Sequence, residues 1–234
     1  MLNLSKGETL LYLSSRLKLF RVPKLFIASV ADICQLDELQ VSNLIIENVG
    51  HKKLVVRSSA FNEDSHGASQ AGAYDSVLNL NPNDGHSIKK AVQKVIDSYQ
   101  NRGLHSSSNN LIFQNQVESP STSGVIFTHD LNTGAPYYVI NYDDISGRTD
   151  TVTSGISEYS NRTLYIHRGS SEKIRSERFK NLINAVRELE LLLNSEFLDI
   201  EFALDMNLQP YLLQVRPITT QPSWNPTVPE RIDD

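Results

Sequence analysis

Residues Leu198 to Thr219, LDIEFALDMNLQPYLLQVRPIT, decide how the rest of this chain is read. Polar and apolar residues alternate strictly through the first half, so Asp199, Glu201, Ala203 and Asp205 share one face while Ile200, Phe202 and Leu204 share the other. That is the pattern of a half-buried strand. A loop from Met206 to Gln209 follows, and Tyr211, Leu213 and Val215 then alternate with Leu212, Gln214 and Arg216 as the returning strand of a hairpin. A loop of those four residues sets Glu201 opposite Gln214 and Asp199 opposite Arg216. One face then carries two carboxylates, an amide and a guanidinium. The hairpin alone fits either an exposed sheet face with a weak cross-strand ion pair, or a site where Glu201 and Gln214 give hard oxygen ligands to a divalent cation and Arg216 forks a phosphate.

At 234 residues the chain can bury a substantial core, as one large domain or two smaller lobes. Hydrophobic residues are 39% and charged residues 21%, an ordinary balance, and the formal net charge of −5 leaves no basic excess for a general nucleic-acid binder. The opening MLNLSKGETL lacks the apolar run of a signal peptide, and no later stretch approaches the roughly 18 apolar residues of a membrane span. A cytoplasmic location is the expectation. Cys34, the single cysteine, fits a reducing compartment and reads as a small packed residue.

Working outward from the hairpin, Glu172 to Phe197 places Phe179, Leu182, Ile183, Val186, Leu189 and Leu193 at helical spacing. LIFQNQV, GVIFTHD and PYYVINYD, with a short run over Thr163 to His167, predict strands of an antiparallel sheet. Ser87 to Tyr99 predicts a helix with Ser87 as its N-cap. Lys6 to Phe20 predicts another, closed by Val22-Pro23, and Lys24 to Val30 a buried strand. Leu36 to Val49 has no clean period, and its type stays open. Leu54-Val55-Val56 is a short strand running into Arg57-Ser58-Ser59. The stretch SSAFNEDSHGASQAGAY, Ser58 to Tyr74, has no period and predicts a long loop whose serines and backbone N–H groups could cradle an anion. After Pro217 the Pro-rich tail reads as a linker.

Lys6-Gly7, the Arg57-Ser58-Ser59 strand end with its Gly/Ser loop, and the acidic hairpin are the components that a triphosphate and its metal need: cations, backbone donors and oxygen ligands. No GxxxxGK[ST] or GxGxxG segment is present. Through VRSSAFNEDSHGASQAGAYDSVLNL, QNQVESPSTSGVIFTHD and DIEFALDMNLQPYLLQVRPIT, with the opening SKGETL, the chain resembles the nucleotide-binding domain of the phosphoenolpyruvate synthase and pyruvate phosphate dikinase family. The segment APYYVINYDDISGRTDTVTSG is most similar to a glutamine kinase-like branch.

The resemblance implies an α+β ATP-grasp fold with two lobes, an N-terminal one over 1–115 and a C-terminal one with an antiparallel sheet over 116–220, and a linker-like tail over 221–234. It implies that Lys6, Arg57 and Arg216 contact phosphates, and that the loop carrying Ser58, Ser59, Ser69 and Gly72 covers them. It further implies that Gln114, Gln116 and Val117 form a hinge meeting the adenine edge, that Glu201 and Gln214 hold Mg2+, and that Asp199 orients Arg216. Asp150 stands where many members carry a glutamate, and Ala73 where a larger polar residue is expected. The activity implied is transfer of a phosphoryl group from ATP to a histidine on a swivelling domain, in cis or in trans, for relay to a small acceptor such as pyruvate or an amide. None of the six histidines sits in the Gly-Gly-x-Thr-Ser-His-like segment that such a domain needs, so the chain reads as one domain of a larger enzyme or a partner for one. A non-catalytic nucleotide-binding module and an ATP-grasp ligase are the alternatives.

Overall fold

The computed structural model describes residues 4–59, 76–100, 109–149 and 162–218. Ser69, Gly72, Ala73, Asp150 and the tail lie outside them. Contacts divide the chain into two units: a first comprising Asn3–Ser15 and Pro23–Glu118, and a second comprising Arg16–Val22 and the chain from Ser119 on, with Met1–Leu2. Both are α+β and built on antiparallel sheets, the class expected of an ATP-grasp domain.

In the first unit, β1 (Leu25–Ser29), β2 (Leu54–Ser59), β3 (Ser76–Leu80) and β4 (Asn110–Asn115) form a sheet of order β1-β4-β2-β3. Its two faces have different jobs. Val56 pairs with Phe113, and both lie in a core with residues of α3 (Glu38–Val49) and α4 (Gly85–Gln100), including Ile45, Val92 and Tyr99. Phe26 stacks on Phe113 at 4.9 Å between ring centres. Burying each such side chain contributes roughly 1.5–3 kcal/mol. The other face carries Arg57 and its cross-strand neighbour Ile112, with α1 (Lys6–Ser14) lying against it at Gly7. A Cβ at Gly7 would stand 2.8 Å from Ile27 Cδ1 and 3.0 Å from Ile112 Cγ1, so the missing side chain is what lets α1 approach.

Local signals explain the helix boundaries. The unassigned segment becomes α3 because Asp37 and Gln40 form a reciprocal capping box at its start. The cap of α4 is Asp84 rather than Ser87: Asp84 accepts from both the Ser87 amide, at 3.0 Å, and its hydroxyl, at 2.6 Å. Helix α1 stops at Ser14 rather than continuing to Phe20, because Arg16–Val22 leaves for the second unit, where Arg21 pairs with Tyr211. Cys34 is exposed rather than packed, since α2 (Val30–Gln35) buries Val30 and Ile33 and turns the next position outward.

The second unit is a five-stranded sheet of order β7-β6-β5-β8-β9, made from β5 (Thr122–Phe127), β6 (Tyr137–Asp143), β7 (Arg162–His167), β8 (Leu198–Leu204) and β9 (Pro210–Pro217). Helix α5 spans Glu177–Leu193, shorter than the predicted run. A 3-10 turn over Arg168–Lys173 precedes it, and Asn194 in the left-handed conformation ends it at φ 47°. Its apolar stripe, Phe179 to Leu193, is buried. The fully buried Ile200, Phe202 and Ile140 supply the sheet side of this core, where Tyr142 meets Phe179 edge-on.

Candidate functional site

The face of the second sheet opposite α5 carries the hairpin residues. Glu201 pairs with Gln214 and Asp199 with Arg216, the opposition the alternation predicted. The route to it differs in one detail. Leu204 pairs with Pro210, so the connection is five residues long, Asp205 to Gln209, and a bulge at Leu213 between Phe202–Leu212 and Glu201–Gln214 restores the expected register. The turn is built on Asp205, whose Oδ1 accepts from the amides of Asn207 at 2.9 Å and Gln209 at 3.0 Å.

Arg216 Nε and Nη2 both lie 2.6 Å from Asp199 Oδ2. The side chains are only 16% and 8% exposed, which fixes the guanidinium more firmly than a surface pair would be. Next to this pair, Glu201 and Gln214 present a carboxylate and an amide carbonyl from adjacent strands. Side chains on directly opposed residues sit about 4.5–5.5 Å apart at Cβ, close enough to share one ligand. The same cross-strand row continues through Val125 and Asn141 to Thr163, whose hydroxyl donates to Asn141 Oδ1 at 2.8 Å. Asn141 was missed in the sequence, although alternation through PYYVINYD places it on this face with Asp143. Asp143 itself is engaged by the amides of Ile145 and Ser146.

Each predicted residue of the first unit can be placed in the same way. Arg57 sits at the middle of β2, with Ser58 and Ser59 buried after it. Ser59 ties three elements together: its hydroxyl accepts from the Gly7 amide at 3.1 Å, and its amide donates to the fully buried Tyr99 hydroxyl at 2.7 Å. Tyr99 in turn donates to the Asn110 carbonyl at 2.7 Å. The first bond brings the residue after Lys6 to the end of the strand that carries Arg57.

Gln114 pairs with Val55 and so shares the face of Arg57. It is 1% exposed, and its Nε2 has no hydrogen-bond partner among the described residues. Leaving such a donor unmade costs about 1–3 kcal/mol, which a ligand acceptor would recover. Gln116 is held differently: its Oε1 accepts from the Asn79 amide at 2.7 Å and its Nε2 donates to Asn79 Oδ1 at 3.1 Å. Val117 follows directly, outside any strand.

A third polar cluster has no counterpart in the sequence reading. Arg168 Nη1 lies 2.5 Å from Glu190 Oε1 under α5, Tyr138 donates to Glu190 Oε2 at 3.1 Å, and Arg168 also reaches the Thr128 carbonyl at 3.2 Å. Burial pushes the Glu190 carboxyl up against the pull of Arg168. His129, stacked on Phe197, is held down by burial and by Arg168.

Donor chemistry favours magnesium over a softer metal at the hairpin. Among the described residues, no group of three or more His, Cys, Asp or Glu side chains is arranged to hold a metal. Magnesium in nucleotide sites takes one or two protein oxygens and completes its shell with phosphate and water, which a Glu201–Gln214 set matches.

Residues 35–143 match the family model described as pyruvate phosphate dikinase, AMP/ATP-binding domain. Over that span the chain is similar to an ATP-binding domain of this kind. The matched span runs from α2 to the end of β6, so it takes in Arg57, Gln114 and Gln116 and stops before the hairpin. Comparison with curated proteins gives no match.

Among solved structures, the chain is similar to D-alanyl-alanine synthetase A from Vibrio cholerae, with 14% identity and a TM-score of 0.49, over 91% of this chain and 55% of that one. It is also similar to D-alanine-D-alanine ligase from Helicobacter pylori, with 11% identity and a TM-score of 0.48, over 93% of this chain and 54% of that one. An L-amino acid ligase from Bacillus licheniformis gives 13% identity and a TM-score of 0.48, over 92% of this chain and 43% of that one. The chain thus spans about half the length of the structures it matches. Among the described residues, no helix is long and apolar enough to cross a membrane.

Proposed function

We propose that this chain is the magnesium-ATP-binding part of a phosphotransferase, which passes a phosphoryl group from ATP to a histidine on a separate domain, in cis or in trans, for relay to a small acceptor such as pyruvate or an amide. The observation that carries the proposal is the hairpin face, where Glu201 opposes Gln214 beside an Arg216 already held by Asp199. The family match supplies ATP as the ligand.

Glu201 and Gln214 hold the metal, which when bound draws charge from the phosphate oxygens. Arg216, kept in one orientation by Asp199, donates to the terminal phosphates. Within the first unit, Lys6 and Arg57 are the cations that the resemblance assigns to phosphate, with Ser58 and Ser59 following Arg57 on the same strand. Gln114 offers its unpartnered Nε2 to the base, next to backbone groups of Gln116 and Val117. Phosphoryl transfer leaves side chains little covalent work, so positioning and charge neutralisation account for the rate.

The test is incubation of the chain with magnesium-ATP and a separately produced histidine domain. The expected result is release of AMP and one inorganic phosphate, water being the co-reactant, for each acid-labile phosphate left on the histidine, lost in Glu201→Ala along with magnesium-dependent ATP binding. ATP binding without turnover would replace this reading with a non-catalytic nucleotide module. ADP formed only with a carboxylate acceptor would replace it with a ligase, and unchanged nucleotide handling in Glu201→Ala would remove the metal assignment.

A further inference from the structure

The turn after β6 brings a further arginine to the face that carries Glu201. Ser123 pairs with Ala203 on one side and with Asp143 on the other, so its side chain lies on the same face as Glu201, Val125 and Asn141. Its hydroxyl donates to the Arg148 carbonyl. The backbone of Arg148 is therefore held against β5 on that face, beside the proposed metal ligands.

Asp143 builds the turn that delivers it. Its buried carboxylate accepts from the amides of Ile145 at 2.8 Å and Ser146 at 3.0 Å, and from the Ser146 hydroxyl. The Ser146 hydroxyl oxygen in turn accepts from the Arg148 amide at 3.2 Å, and Gly147 takes the left-handed φ of 66° that the turn requires. Arg148 is thus anchored at its amide by Ser146 and at its carbonyl by Ser123. The neighbouring Asp144 carboxylate is engaged elsewhere, by Arg162 at 3.3 Å and Arg178 at 3.0 Å. The Arg148 side chain is exposed, so what the fold fixes is the point from which it extends.

Register decides which part of a nucleotide that point serves. Three cross-strand pairs follow one another along the face: Arg216 with Asp199, Gln214 with Glu201, and Ala203 with Ser123. The metal pair is the middle one. Arg216 flanks it on one side, and Ser123 with the Arg148 backbone flanks it on the other. Ser123 is the diagonal neighbour of Glu201, and such neighbours sit about 7–8 Å apart, within reach of a long side chain. With Arg216 on the terminal phosphates, the opposite flank serves the nucleoside end of the phosphate chain.

We propose that Arg148 is a second phosphate-contacting arginine of this unit, meeting the α-phosphate while Arg216 meets the terminal phosphates, and that Ser123 is its positioning residue. The proposal rests on the magnesium-ATP reading of the hairpin. A guanidinium suits the role because it is always charged and its planar fork matches two phosphate oxygens at once.

The test is isothermal titration of the full chain with AMP, ADP and ATP, each with magnesium. Arg148→Met is expected to weaken all three by about tenfold, and Arg216→Met to weaken ATP while leaving AMP as in the wild type. Ser123→Ala should weaken AMP by less, and by nothing further in the Arg148→Met background; a purely structural role for Ser123 would add its loss in both backgrounds. If Arg148→Met bound all three nucleotides like the wild type while Glu201→Ala lost ATP, this proposal would fall and the hairpin reading would stand. ATP affinity unchanged in Glu201→Ala would remove both. A loss in Arg148→Met confined to ATP would move the residue to the terminal phosphates and overturn its assignment to the α-phosphate.

Discussion

The second unit contains two arginine–carboxylate pairs that are nearly indistinguishable as pairs. Arg216 meets Asp199 at 2.6 Å with side chains 16% and 8% exposed, and Arg168 meets Glu190 at 2.5 Å with side chains 19% and 8% exposed. They sit on opposite faces of the same sheet. The Arg168 pair is enclosed beneath α5 by groups already engaged with it, the Tyr138 hydroxyl and the Thr128 carbonyl, and Arg168 lies over the Tyr138 ring at 4.8 Å. The Arg216 pair stands beside Glu201 and Gln214 on the face opposite α5. Distance and burial therefore do not separate the Arg168 pair from the pair proposed to meet phosphate. What surrounds the pair does.

The largest expected effect comes from Arg168→Met, which strands the Glu190 carboxylate in a nonpolar interior. Removing one partner of a buried pair costs about 3–5 kcal/mol, so the urea midpoint should fall steeply while the variant, where still folded, keeps its ATP affinity. Arg216→Met is the matching change on the opposite face. Its main expected effect is on nucleotide binding, weakened about 10–100-fold by loss of a charge-assisted phosphate contact, with a stability loss of about 1–3 kcal/mol for the Asp199 left behind. Isothermal titration and denaturant melts on the two variants would break the comparison if both lost stability equally and neither lost ATP.

Gly7→Ala probes the positioning of Lys6 in the first unit. A Cβ there would meet Ile27 and Ile112 within 3.0 Å, and forcing a methyl group into a packed contact costs about 1–3 kcal/mol. A melt showing that loss, together with weaker ATP binding, would mean that α1 holds its lysine by close packing. Stability lost with affinity intact would leave Lys6 out of the site.

The hairpin was legible because strict alternation fixes both the face and the partner of every residue. The loop length was read one residue short, and the compensating bulge at Leu213 left no trace in the pattern. The α5 stripe announced its core by helical spacing, yet the same stripe hid Glu190, a charged residue beside Leu189 that reads as solvated until Arg168 and Tyr138 are seen against it. That cluster joins residues 22 and 52 positions apart, and pairing at such separation has no local signal. Asn141 was within reach of the alternation rule, whereas the bonds by which Ser59 ties α1 and α4 to β2 have no local signal in the sequence.

The smallest expected effect concerns pH and tests why the two pairs differ. Burial raises the Glu190 carboxyl above its ordinary value of 4.5, so the folded state binds this proton more tightly than the unfolded state does. Its contribution to stability is present below pH 4.5 and declines as pH rises through the folded-state value. His129 runs the other way. Its imidazole is lowered from 6.5 by burial, so its contribution is present above pH 6.5 and is lost as pH falls through the lower folded value. Glu190→Gln removes the first dependence and leaves the second. Urea midpoints measured from pH 4 to pH 7 should therefore show the wild type losing stability relative to this variant as pH rises. Parallel profiles would mean that Arg168 and Tyr138 compensate fully for the burial of Glu190, and the two pairs would then differ only in what stands beside them.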